Sequence, residues 1–193
     1  MSLNIAKAGD VTESSITRAL NSGERVFAAG VYHVECHDKD GNLKWEVDTP
    51  NLVVNVGAQY MCGVALTSTA QITTWYLGLY GAAASNNPAA GDTSASHAGW
   101  TEVVPYSEAT RPACTFAAAT LANPSVATNT AAKATFTINA SATVGGAFLI
   151  SNNTKSGATG TLFSAADFGA PGDRSVVSGD VLSVTYTFSL TAA

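Results

Sequence analysis

The chain has 193 residues, with nine Lys and Arg against fourteen Asp and Glu, a formal net charge of −5, and only 12% charged residues. An average soluble protein carries about 25%, so much of this surface is small and neutral. Nine scattered basic residues exclude a phosphate-binding patch, no run approaches the roughly 20 apolar residues of a membrane helix, and the length suits one domain that buries roughly 70% of its unfolded surface.

Residues 1–25 read as an N-terminal arm and 26–193 as a single domain. Asp10 or Thr12 is placed to cap a short helix through Leu20, with Ile16 and Leu20 as an i, i+4 apolar pair and Gly23 as its stop. That apolar face is too small to fold alone, and the arm is expected to reach a neighbouring subunit. The N-terminal stretch has no basic segment followed by an apolar core, so synthesis in a cytoplasm is expected.

Val26 to Val47 predicts a β-hairpin, with Tyr32, Val34 and Cys36 on one face, Leu43, Trp45 and Val47 on one face of its partner, and Asp38 to Asn42 turning between them. Thr49-Pro50-Asn51 breaks the sheet. Val56, Tyr60, Met61 and Val64 then recur at helical spacing, predicting about three turns capped by Asn55 and packed on the sheet. Thr73 to Tyr80 predicts a strand apolar on both sides, as in the interior of a sheet or at an interface. Residues 81–103 read as a long connection poor in large apolar residues apart from Trp100. Further strands are expected at Ala113 to Ala117, Ala134 to Asn139, Val144 to Ser151, Gly160 to Phe163 and Ser175 to Val177, separated by turns such as Asn123-Pro124 and Gly145-Gly146. Val181 to Leu190 alternates Leu182, Val184, Tyr186, Phe188 and Leu190 against Ser183, Thr185, Thr187 and Ser189, a half-buried strand showing hydroxyls outward. The expected fold is mainly β: an antiparallel β-sandwich, jelly-roll-like, with one short packed helix and an N-terminal arm.

Chemistry is sparse. Cys36, Cys62 and Cys114 are odd in number and widely spaced, which fits buried free thiols. His33, Glu35 and His37 share a strand face, but the histidines would lie about 13 Å apart at about 3.3 Å per residue, too far to share zinc. Asp38, Asp40 and Asn42 alternate oxygens as a calcium loop does, yet glycine stands at the fourth position of the run instead of the sixth. A hairpin turn explains them. In Asp92-Thr93-Ser94-Ala95-Ser96-His97, a serine and a histidine lie close in sequence without a nucleophile elbow. The expected role of Asp92, Ser96 and His97 is a latch of side-chain to backbone hydrogen bonds that places Trp100 in the core or a subunit contact. Glu102 and Glu108 are expected to be solvated. No catalytic, metal or cofactor residues are assigned, and no enzyme activity is expected.

The block DTSASHAGWTEV (Asp92 to Val103) resembles a family of small tailed-bacteriophage virion proteins. The likeness extends to GVYHVECHDKDGNLKW (Gly30 to Trp45), NLVVNVG (Asn51 to Gly57), GTLFSAADF and SVVSGDVLSVTYTFSL. The resemblance implies a capsid decoration or cement protein, a homotrimer on the exterior of the virion head, at threefold or quasi-threefold positions of an HK97-type shell, with the major capsid protein as partner. The alternative is a tail fibre or baseplate module that binds a host surface. Leu3, Ile5, Ile16, Leu20, His97 and Trp100 are the expected interface residues.

Overall fold

A computed structural model of the chain describes residues 25–82, 87–169 and 171–192. Among the described residues the fold is mainly β, with antiparallel sheets and one α-helix. The first sheet runs β2 (Leu43–Pro50), β1 (Val26–His37), β13 (Val181–Ala192), and then β7 (Ser125–Thr128) and β8 (Ala134–Thr137), which share the far edge of β13. The second runs β3 (Leu52–Val53), β11 (Leu162–Asp167), β10 (Gly146–Ile150), β4 (Trp75–Ala82), and then β5 (Trp100–Val103) and β6 (Ala113–Cys114) along β4. A short ribbon pairs β9 (Ala142–Val144) with β12 (Arg174–Val176).

The two sheets enclose one apolar core. Alternation on β1 and β13 sends Tyr32, Val34, Cys36, Leu182, Val184 and Tyr186 inward, where they meet Leu77, Leu79, Leu149 and Phe163 of the second sheet. Full burial of such a side chain contributes about 1.5–3 kcal/mol, against about 0–1 kcal/mol for an exposed ion pair. Apolar packing therefore decides how the sheets meet. One polar brace crosses the core. Tyr32 and Ser164 hydroxyls lie 2.7 Å apart, Ser164 Oγ donates to Tyr186 Oη at 3.3 Å, and Asn51 Nδ2 donates to the same phenol at 2.7 Å.

The second sheet is buried on its outer face too, where Tyr80, Trp100, Phe148, Ile150 and Leu162 cluster with Val54. This explains why Thr73 to Tyr80 reads as apolar on both sides. The strand itself is Trp75–Ala82, two residues later than the expected one. Helix α1 (Asn55–Leu66) has the expected three turns, but Asn55 is its first helical residue and no side chain caps it. The Asn55 N–H instead donates to Ala90 O at 2.8 Å, so a loop carbonyl from a distant segment does the work of a cap. A Cβ on Gly57 would lie 2.2 Å from Phe163 O, so glycine lets the helix sit directly on the β11 backbone.

The β1–β2 hairpin and its turn agree with the expectation: Asp38 Oδ1 accepts from the Asp40 and Asn42 amides at 2.9 Å each, and Gly41 holds φ +85°. Leu43, however, is exposed, because the register shifts between Cys36 and His37. The expected strand at Ala113 to Ala117 is only two residues, Gly160 to Phe163 is replaced by Leu162–Asp167, and Val144 to Ser151 is divided at Gly145 into β9 and β10. The supposed connection 81–103 contains β5, and Cys62 is exposed while Cys36 and Cys114 are buried. Among the described residues no helix is long and apolar enough to cross a membrane.

Gly57→Ala is expected to lose about 1–3 kcal/mol of unfolding free energy, the range for overpacking against a backbone that cannot retreat. Urea titration followed by tryptophan fluorescence measures it, and an unchanged midpoint would show that the helix lifts freely from the sheet.

Candidate functional site

On the outer face of the second sheet a cleft of about 230 Å³ opens beside β5, lined by His97, Trp100, Glu102, Arg111, Phe148 and Ser156 among others. Its wall is the loop before β5, which is held from several directions. Asp92 Oδ2 accepts from Trp100 Nε1 and from the Ala89 amide, both at 3.0 Å. Ser94 Oγ shares its proton between Gly160 O at 2.7 Å and Ala158 O at 3.2 Å, tying the loop to the segment before β11. His97 stacks on Trp100 with ring centroids 3.9 Å apart, and its Nδ1–H donates to Trp100 O at 2.9 Å. The latch expected from the sequence is formed by Asp92 and His97. Ser96 takes part through its backbone alone, in a turn with Thr93.

That latch places Trp100 inside the molecule, 5% exposed, against Tyr80 at 5.0 Å and Phe148 at 5.2 Å. Of the six residues expected at an interface, Leu3, Ile5, Ile16 and Leu20 lie outside the described residues, Trp100 is enclosed by its own chain, and His97 lies over it, partly exposed. Among the described residues no hydrogen bond joins His97 to a serine. The histidine and Ser94 both bond main-chain carbonyls.

The charged centre of the cleft is one the sequence reading placed elsewhere. Glu102, expected to be solvated, is 5% exposed and takes a two-pronged bond from Arg111, whose Nε and Nη2 each donate at 2.8 Å. Arg111 Nη1 also donates to Asn152 O at 2.8 Å, and the guanidinium lies 5.3 Å from the Phe148 ring centre. Planarity lets one Arg pin β5, the segment before β6 and the turn after β10 together. Glu108, the other expected solvated acid, accepts from the Thr137 amide. Arg111-Pro112 in the sequence signals only a chain break; its pairing with Glu102 follows from how β5 and β6 flank β4.

A second cluster lies on the outer face of the first sheet. The register that sets Glu35 opposite Glu46 brings His33, Glu35 and Glu46 together, with potential ligand atoms within 4.8 Å of one another. Such a set could hold a divalent cation, and it joins a cross-strand acid to residues that the sequence reading considered only along one strand. His37 and Cys36 are not part of it. The His33 nitrogens and the Glu35 oxygens already have partners: His33 Nδ1 lies 2.9 Å from Asp48 Oδ1, His33 Nε2 lies 3.1 Å from Glu35 Oε1, and Lys133 Nζ donates to Glu35 Oε2 at 2.8 Å. Partial burial lowers the His33 pKa, but hydrogen bonds to Glu35 and Asp48 outweigh it and hold the imidazole above its ordinary 6.5. Lys133 and His33 hold the Glu35 carboxyl below its ordinary value.

No protein-family model, curated protein or solved structure matches the chain.

Two outcomes test these assignments. Glu102→Gln strands a buried guanidinium and is expected to cost about 3–5 kcal/mol of stability, the range for breaking one side of an enclosed ion pair; denaturant unfolding reads it, and a loss below about 1 kcal/mol would mean that Arg111 finds water. Because folding raises the His33 pKa, its contribution is fully present below pH 6.5 and fades as pH rises through the raised value. The stability difference between the parent and His33→Gln should therefore shrink on going from about pH 6 to pH 9, with salt shrinking it further.

Proposed function

We propose that the protein is a structural, non-enzymatic component of a tailed-phage virion: a capsid decoration or cement protein that binds the assembled shell of major capsid protein on its exterior, as a homotrimer. The observation that carries this reading is an uncharged patch on the outer face of the first sheet. Register sets Val31 opposite Thr187, Thr187 opposite Thr128, and Ala29 opposite Ser189. Phe27 and Val31 stand out of this patch, 52% and 41% exposed, among hydroxyls that bond each other, Thr128 and Thr187 at 2.9 Å. Charges of this face gather at the other end, where His33, Glu35, Asp48 and Lys133 pair with one another beside Glu46.

Such a surface suits protein contact. Neutral hydroxyls that already bond each other lose little on dehydration, and an aromatic ring supplies contact area at low entropic cost. The sequence resemblance supplies the setting, and mass action supplies the mechanism: a ligand that recognises only the assembled shell stabilises it, and many weak sites add through multivalency. The cleft beside Trp100 fits this reading, since its charged groups are committed to holding loops.

The test is co-sedimentation of purified protein with assembled shells and with unassembled capsid subunits. Binding is expected to shells alone, and Phe27→Asp should lower occupancy at least about tenfold, a loss typical of a central aromatic contact, while stability moves by no more than about 0.5 kcal/mol, as at most surface sites. Densitometry of purified virions separates head from tail: copies on the order of hundreds fit a shell lattice, and copies on the order of tens would assign the protein to the tail.

A further inference from the structure

β1 and β13 each have 12 residues, about 40 Å at 3.3–3.4 Å per residue, and they outrun the second sheet. Phe188 still meets Phe163 of β11, ring centres 5.4 Å apart, and beyond it the inward row continues through Val26, Ala28 and Leu190, all exposed, with Met61 and Ala65 of α1 alongside. Between them runs an apolar groove of about 750 Å³. Val26 is 69% exposed, Leu66 83% and Leu190 39%. Monomeric proteins rarely leave contiguous apolar surface of this kind uncovered.

The chain carries a matching segment at the rim. Val26, a wall of the groove, is the first residue of β1, and residues 1–24 precede it, outside the described residues. Their sequence sets Ile16, Ala19 and Leu20 at i, i+3 and i+4, one apolar stripe among polar neighbours. The six residues from Leu20 to Val26 reach at most about 20 Å. A tether this short presents the stripe at an effective concentration in the millimolar range, far above that of a second copy in dilute solution. We propose that residues 1–24 occupy the apolar groove of their own chain, with Ile16 and Leu20 against the Phe188, Leu190 and Met61 surface. The attachment point thus favours the same chain over the neighbouring subunit that the sequence alone suggests, whether or not the protein binds a shell.

Cys62 makes the test direct. It lines the groove and is exposed, whereas Cys36 and Cys114 are buried, with thiols pushed up by burial to about 11 and about 12. The rate at which 5,5′-dithiobis(2-nitrobenzoate) modifies the folded protein therefore reads Cys62. In the full chain Cys62 is expected to react at least about tenfold more slowly than in Ile16→Asp/Leu20→Asp or in a chain begun at Arg25, as local protection requires, and at a rate independent of protein concentration. Leu66→Asp, a change at a residue already exposed, should release the thiol as the segment changes do, and serves should the shortened chain fail to fold. Equal rates in all variants would overturn the proposal. So would protection that fades on dilution, which would assign the groove to a second copy.

Discussion

The structure depends on the antiparallel ladder between β1 and β13, which pairs Val26 with Ala192 at one end and His37 with Val181 at the other. The ladder joins the first and last strands of the described chain, so every other element is placed relative to a pairing of large sequence separation. Because the side-chain period is two, a slip of β1 by one residue against β13 would send Tyr32 and Val34 to solvent and His33 and Glu35 into the core. Two devices oppose that slip. Tyr32 and Tyr186 face each other in register with ring centres 4.5 Å apart, and the shared Ser164 contact holds both phenols to the second sheet. Asn129 adds a third, its Oδ1 accepting from the Tyr186 amide at 2.6 Å and its Nδ2 donating to Val184 O at 3.2 Å.

The second sheet answers a different problem. With both faces buried, it must be almost uncharged, and the chain's low charge content follows from this requirement as well as from its neutral outer skin. Its buried charges are paired at close range: Arg111 with Glu102, and Asp92 with Trp100 and the Ala89 amide. Each pair ties a loop to the sheet. A long connection between β4 and β5 thereby gains a fixed wall without a hydrophobic element of its own, which costs less than leaving a buried charge or indole N–H without a partner.

The two outer surfaces divide the molecule's character. On the first sheet, charged groups gather around His33 while the neighbouring patch around Phe27 and Thr187 is neutral. On the inward side of the same strands the overhang leaves an apolar groove facing α1. Both features come from one cause: β1 and β13 are longer than the strands stacked against them, so the same alternation that builds the core continues past it, hydroxyls on one side and apolar rows on the other.

The sequence by itself determined the mainly-β class, the β1–β2 hairpin with its Asp-Gly turn, the terminal strand and helix α1, because each is written in local alternation, in helical spacing or in the backbone freedom of Gly41. It also marked Asp92 and His97 as the partners of Trp100, since all three lie within nine residues. Short strands such as β3, β5 and β9 were illegible, for two to four residues carry no period and are extended only because a neighbour offers hydrogen bonds. The Arg111–Glu102 pair, the meeting of His33 with Glu46, the Ala90 carbonyl at the helix start and the groove beside α1 were decided by tertiary structure alone. Each joins groups from different segments, and their proximity is set by strand register and sheet stacking, which no local run of residues encodes.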